Sequence, residues 1–223
     1  MIRFRLLMIL SVAGICAVTL APSAQTPLMK TGSVVQGATM LSPRSGHTAT
    51  LLADGRVLIA GGMRRNQDFY RSAELFDPAT GRFTTTGEML VARVGHAAVL
   101  LGSGKILIVG GWIGHGVTDE AELYDPQTGK FSAIAHMVTK RGQPSATLLQ
   151  DGNVLIACGA GDNDGSGSSI VSAEIFDAAK LTFRATGAMH HARISGHRDA
   201  VNRWSGAAGR RARSRGECNR RAV

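Results

Sequence analysis

The feature that most constrains this 223-residue chain is a text that repeats itself at a nearly fixed period. Self-similarity of this kind outranks local propensity, because each repeat must bury its apolar faces against its neighbours. The first stretch runs through Arg44, His47, Asp54-Gly55, an apolar run at 57–60, Gly61-Gly62, Glu74, Phe76-Asp77-Pro78, Gly81, Phe83 and Met89. The second runs through Arg93, His96, Ser103-Gly104, an apolar run at 106–109, Gly110-Gly111, Glu122, Tyr124-Asp125-Pro126, Gly129, Phe131 and Met137. The third runs through Arg141, Asp151-Gly152, an apolar run at 154–157, Glu174, Phe176-Asp177, Phe183 and Met189. Arg44, Arg93, Arg141 and Arg193 stand 49, 48 and 52 residues apart. The extra residues of the third unit fall in a Gly/Ser/Asp-rich stretch at 160–169, where a loop is expected. Met40 precedes Arg44 as Met89 precedes Arg93, so residues 25–40 are expected to end a preceding unit.

Each unit reads as four strands. In the first unit these are expected at 47–52, 57–60, 73–76 and 82–86. Asp54-Gly55 is a hairpin signal. The continuous apolar run at 57–60 suits a strand covered on both faces. Asp77-Pro78-Ala79-Thr80-Gly81 has proline where a turn fixes φ and glycine where the backbone turns left-handed. A four-stranded unit of about 48 residues has the size of a propeller blade.

The net charge of +9 could suggest nucleic acid, but its distribution argues against a basic binding face. Residues 193–223 hold nine Arg against Asp199 and Glu217, whereas residues 1–192 carry a net charge of only +2. The tail has one aromatic, Trp204, and no helical periodicity. Residues 1–24 read as a signal peptide, with Arg3 and Arg5 ahead of a 15-residue apolar run at 6–20. That run is shorter than the ~20 residues that span a bilayer. Cleavage is expected near Ser23 or Ala24, and the mature chain is expected to be secreted or periplasmic. Cys16, Cys158 and Cys218 form no metal spacing and imply no disulfide framework. With permitted codon choices, residues 197–211 read one nucleotide later spell T-A-T-L-L-T-D-G-R-V-L-L-A-G-G, which matches residues 48–62 at 13 of 15 positions. A frameshift near Gly196 or His197 is therefore expected to have ended a longer repeat array.

The double glycine after an apolar strand, the Glu-Leu-Phe/Tyr-Asp-Pro segment and the later aromatic resemble the kelch family over residues 40–193. The third unit departs from the pattern: Cys158 replaces the first glycine, Pro144 the histidine and Ala178 the proline. The usual tryptophan of the fourth strand is Phe83, Phe131 or Phe183 here. The resemblance implies an all-β fold: a partial kelch β-propeller of about three four-stranded antiparallel blades. An N-terminal signal helix and a disordered basic tail would flank it. The expected divisions are a signal peptide at 1–24, a linker or blade end at 25–43, repeats at 44–92, 93–140 and 141–192, and the Arg-rich tail at 193–223. Propellers of this family close with about six or seven blades. Three blades would leave apolar faces in water, so marginal stability and self-association through unpaired blades are expected.

Recurring residues read as structural. His47 and His96 occupy equivalent places in successive units, which argues against a metal site. Arg44, Arg93 and Arg141 are expected to pair with Glu74, Glu122 and Glu174, within or between blades, as a buried charge requires. Gly61, Gly62, Gly110 and Gly111 are expected to allow close backbone approach. Asp77, Asp125 and Asp177 open turns. Function is expected in the loops after the second strands, where Arg64, Arg65, Trp112 and His115 are the candidate binding residues. Asp162, Asn163 and Asp164 cluster, but lack the surroundings of a calcium loop. His190 and His191, taken as strand neighbours, would point to opposite faces.

The resulting expectation is an exported, non-catalytic binding scaffold for a protein or carbohydrate ligand. No cofactor, no nucleic acid and no membrane contact after signal cleavage are expected. The alternative implied by the resemblance is a remnant of a galactose-oxidase-like copper radical oxidase. That site needs two tyrosines and two histidines at copper, and this chain holds only Tyr70 and Tyr124.

Overall fold

The computed structural model describes residues 37–65, 68–161 and 168–192. The signal-like residues 1–24, Asp162 to Asp164 and the tail from Arg193 lie outside the described residues. What is described is all-β, with no helix in it longer than a single turn. There are three sheets of four antiparallel strands. Module 1 holds β1 (Thr48–Leu51), β2 (Val57–Ala60), β3 (Ala73–Asp77) and β4 (Arg82–Thr85) in the order β1-β2-β3-β4. Module 2 holds β5 (Ala97–Leu100), β6 (Ile106–Val109), β9 (Ala121–Asp125) and β10 (Lys130–Ala133) in the order β5-β6-β9-β10. Between β6 and β9 it inserts a small hairpin of β7 (Trp112–Ile113) and β8 (Gly116–Val117). Module 3 holds β11 (Ser145–Leu148), β12 (Val154–Ala157), β13 (Glu174–Asp177) and β14 (Thr182–Ala185) in sequence order.

Register repeats with the sequence. Ile59 faces Glu74, Ile108 faces Glu122 and Ile156 faces Glu174 across the second and third strands. The aromatic pairs meet across the third and fourth strands, with ring centroids 4.8, 4.7 and 4.9 Å apart for Phe76–Phe83, Tyr124–Phe131 and Phe176–Phe183. The first strands pack on one another, β1 on β5 and β5 on β11. The sheets thus converge at their first strands, as adjacent propeller blades do.

The strand period of two explains the apolar runs. In β6, Ile106 and Ile108 pack with Leu58, Ala60, Leu75 and Met89 of module 1. Leu107 and Val109 pack with Val154, Ile156 and Phe176 of module 3. All four β6 side chains are fully buried, each worth ~1.5–3 kcal/mol of transfer free energy. A strand sandwiched between two sheets has no face to give to water, so it has no polar position. Each module therefore has a front face toward the preceding module and a back face toward the following one. Met89 seals the first junction and Met137 the second.

The chain reverses at two kinds of turn. Gly55, Gly104 and Gly152 take φ of 87°, 81° and 83° between the first and second strands. Between the third and fourth strands, the Asp77 carboxylate accepts the Ala79 amide at 2.8 Å and the Thr80 hydroxyl at 2.9 Å. These turns gather at one end of the sheets. The connections from the second to the third strands leave and re-enter the sheets at the other, because strands alternate in direction. His190 and His191 are not strand neighbours: they sit, both exposed, in a bend after β14. β14 ends at Ala185, so the strand geometry expected for the pair does not apply.

Candidate functional site

At the loop end of each module a buried arginine organises the backbone. Arg93 Nη2 pairs with Glu122 Oε1 at 2.8 Å, and its Nη1 donates to the Gly110 and Glu120 carbonyls at 3.0 and 2.9 Å. Arg44 pairs with Glu74 at 2.7 Å and donates to the Gly61 and Ser72 carbonyls at 2.8 and 2.9 Å. Arg141 pairs with Glu174 at 2.9 Å and donates to the Cys158 and Ser172 carbonyls, each at 3.0 Å. The pairing lies within each module, which sequence alone left open. The carboxylates are filled from the other side. Leu41 and Ser42 donate amides to Glu74, Leu90 and Val91 to Glu122, and Val138 to Glu174. Each clamp thereby ties the two ends of the loop between the second and third strands to the segment entering the first strand. Burial lowers the pKa of the Arg93 and Arg141 guanidinium groups, and Glu122 and Glu174 oppose it; arginine stays charged regardless.

The double glycines serve the junctions. Gly62 N–H donates to the Arg93 carbonyl of the next module at 2.9 Å, and Gly111 N–H donates to that of Arg141 at 2.9 Å. A second seam runs from Gly95 N–H to the Gly46 carbonyl and from Gln143 N–H to the Gly95 carbonyl. His96 Nε2 lies 2.9 Å from Thr48 Oγ1 of the preceding module, and the Thr86 hydroxyl lies 2.8 Å from that of Tyr124. His47 is half-buried, with its Cβ against the site where Gly62 lacks one. Asp77, Asp125 and Asp177 hold their turns through backbone amides. Those bonds lower the pKa of each carboxyl.

The candidate binding residues share the loop end but form no single cluster. Arg64 and Arg65 are exposed on the loop of module 1. Trp112 and the exposed His115 belong to the β7–β8 hairpin of module 2. The Trp112 ring lies where a side chain on Gly142 would be, within 2.6 Å of an added Cβ, and also against Gly95. It is thus held over the junction of modules 2 and 3 while staying half-exposed. Tyr124 is fully buried and engaged by Thr86. Tyr70 has the Arg44 guanidinium 5.1 Å above its ring, and its hydroxyl donates to the Pro43 carbonyl at 3.5 Å. Among the described residues no group of three or more His, Cys, Asp or Glu side chains is placed to hold a metal.

Sequence reasoning missed a groove at the opposite, turn end. It measures about 500 Å³ and lies between Asp54, Arg56 and Leu52 of module 1 and Lys105, Asp125 and Gln127 of module 2. Its basic groups are each paired, Arg56 with Asp54 at 2.7 Å and Lys105 with Asp125 at 3.3 Å. The basic residue after the turn glycine of the first two units, Arg56 and Lys105, was the signal available. Residues 92–138, which span module 2, match the family model described as Kelch motif. No curated protein matches the chain. The chain thus carries a kelch motif within an array of three sheets of one topology.

Proposed function

We propose that this chain is an exported, non-catalytic binding scaffold that meets a protein or glycan ligand at the loop end, around Trp112. The kelch motif supports a protein-binding propeller-type scaffold, and the signal-like residues 1–24 support export. One observation carries the choice of surface: a tryptophan pinned by two glycines over a module junction, yet half-exposed. A rigid, partly exposed aromatic is the side chain that binding energy concentrates on, and its ordering cost is already met. It suits an apolar side chain of a protein or the face of a sugar ring. Exposed His115 beside it, and Arg64 and Arg65 on the neighbouring loop, supply polar rim contacts.

The test is a screen of defined oligosaccharide and peptide libraries against the full chain, followed by titration of each binder. Trp112→Ala should weaken binding at least ~30-fold, the loss expected of a hot-spot aromatic at ~2 kcal/mol or more. Arg56→Ala at the turn end should leave it unchanged. Binders that respond to Arg56 and ignore Trp112 would move the site to the turn end and reject this reading.

A further inference from the structure

The array is built to accept a following module at each of its first two back faces, and the third back face carries a side chain where those two have glycine. At both junctions the incoming arginine carbonyl seats on the double glycine. It accepts the second glycine's N–H and lies close to where a Cβ on the first glycine would stand. A Cβ on Gly61 would stand 2.7 Å from the Arg93 carbonyl oxygen, and 2.8 Å from His96 Cε1 and Met89 Cε. A Cβ on Gly110 would stand 2.5 Å from the Arg141 carbonyl oxygen. Contacts this close to a backbone atom cannot be relieved by turning a side chain; the next module has to move.

In module 3 the equivalent residue is Cys158. It keeps the left-handed backbone of its glycine counterparts, with φ of 63° against 62° at Gly61 and 66° at Gly110. Its side chain therefore points into the seat that the earlier modules leave empty. It is buried there with Ala157 and Ala173, its Sγ 3.7 Å from Met189 Sδ. Met189 stands where Met89 and Met137 close the earlier junctions. The front face of module 1, by contrast, matches the front faces that do dock. Phe76 is half-buried there, whereas its counterparts Tyr124 and Phe176 are fully covered by a preceding module.

We infer that Cys158 closes the back face of module 3 to any further module seated in the register of the first two junctions, including module 1 of a second copy. The array is then directional: its leading face keeps the shape that docks, and its trailing face refuses the partner that shape would fit. Head-to-tail growth of copies into a filament is blocked by a single side chain.

Placing the same side chain at a working junction tests this in the full chain. Gly110→Cys should part modules 2 and 3. The Gly111 and Gln143 amides, which bond across that junction, should lose at least tenfold in hydrogen-exchange protection, while the β5–β6–β9–β10 ladder keeps its own. Wild-type protection at both amides would overturn the inference. If Gly110→Cys prevents folding, the converse variant decides. Cys158→Gly should raise head-to-tail association at least tenfold over wild type in sedimentation velocity, and Phe76→Glu should reverse the gain. Equal association of Cys158→Gly and wild type would equally overturn it.

Discussion

Glu122→Gln removes one charge and almost no volume, and its cost follows from counting donors. Glu122 Oε1 accepts Arg93 Nη2 at 2.8 Å and the Val91 amide at 3.2 Å, and Oε2 accepts the Leu90 amide at 2.8 Å. Both carboxylate oxygens face N–H groups. A glutamine must turn its own NH₂ toward one of them, whichever way it is flipped. Arg93 is fully buried and would keep its charge with only the half-exposed Glu120 carboxylate, 4.0 Å away, to offset it. Breaking such a pair by removing one partner costs ~3–5 kcal/mol, because the survivor stays desolvated. With a urea slope of ~2 kcal/mol/M, the unfolding midpoint should fall by about 1.5–2.5 M. Urea unfolding followed by far-ultraviolet circular dichroism measures this directly. Position adds a second expectation: Glu122→Gln should cost more than Glu174→Gln, because the middle module supports two junctions and stability in such arrays is a nearest-neighbour sum. The double variant Arg93→Met, Glu122→Gln should cost less than the two single losses combined. A midpoint shift under about 0.5 M, near 1 kcal/mol, would place the pair with exposed salt bridges and refute the reasoning.

Leu181 holds φ of 57° where Gly81 and Gly129 occupy the same turn position. Leu181→Gly should relieve ~1–2 kcal/mol of left-handed strain against ~0.5–1 kcal/mol of added chain entropy. A small rise in thermal midpoint is expected, and a fall would show the strain is absent. The turn aspartates make an acid limb. Asp77, Asp125 and Asp177 titrate below an ordinary aspartate because the backbone amides of Ala79, Gln127 and Lys180 bond the charged form. A folded pKa below the unfolded one adds stability that is fully present above about pH 4 and is lost as pH falls through the lower folded values. The urea midpoint should be flat from about pH 7 to 5 and decline below about 4, less steeply in the triple Asp→Asn variant. An identical acid slope in that variant would show that these turns contribute nothing to it.

Much of this architecture could be read in the chain because few residue types fit each place. The Asp-Gly and Asp-Pro turns, the two-sided apolar second strand and the pairing of a buried Arg with a buried Glu each allow little substitution. The sequence did not say whether Arg93 reaches Glu122 or a glutamate next door, because equivalent partners recur at every period. It hid the β7–β8 hairpin, whose Gly-His-Gly text carries no alternation. The turn-end groove was hidden for another reason: Asp54 and Lys105 come from turns of different modules, and their proximity exists only after packing. Cys158 could be seen to replace a glycine. That Gln143, Cys158 and Leu181 all keep a left-handed backbone could not, since side-chain identity argues against that conformation.

The segment from Met89 to Arg93 belongs to two modules at once. Met89 plugs the core behind module 1, and its amide bonds the Arg71 carbonyl. The next residues, Leu90 and Val91, cap the glutamate of module 2. The period of the text and the joints of the molecule therefore fall in different places. A repeat excised at its arginine would take the guanidinium and leave behind the amides that complete its carboxylate. Shuffling or transplanting these units without injury means cutting upstream of the methionine, and a lineage that duplicated them intact would have had to observe the same seam.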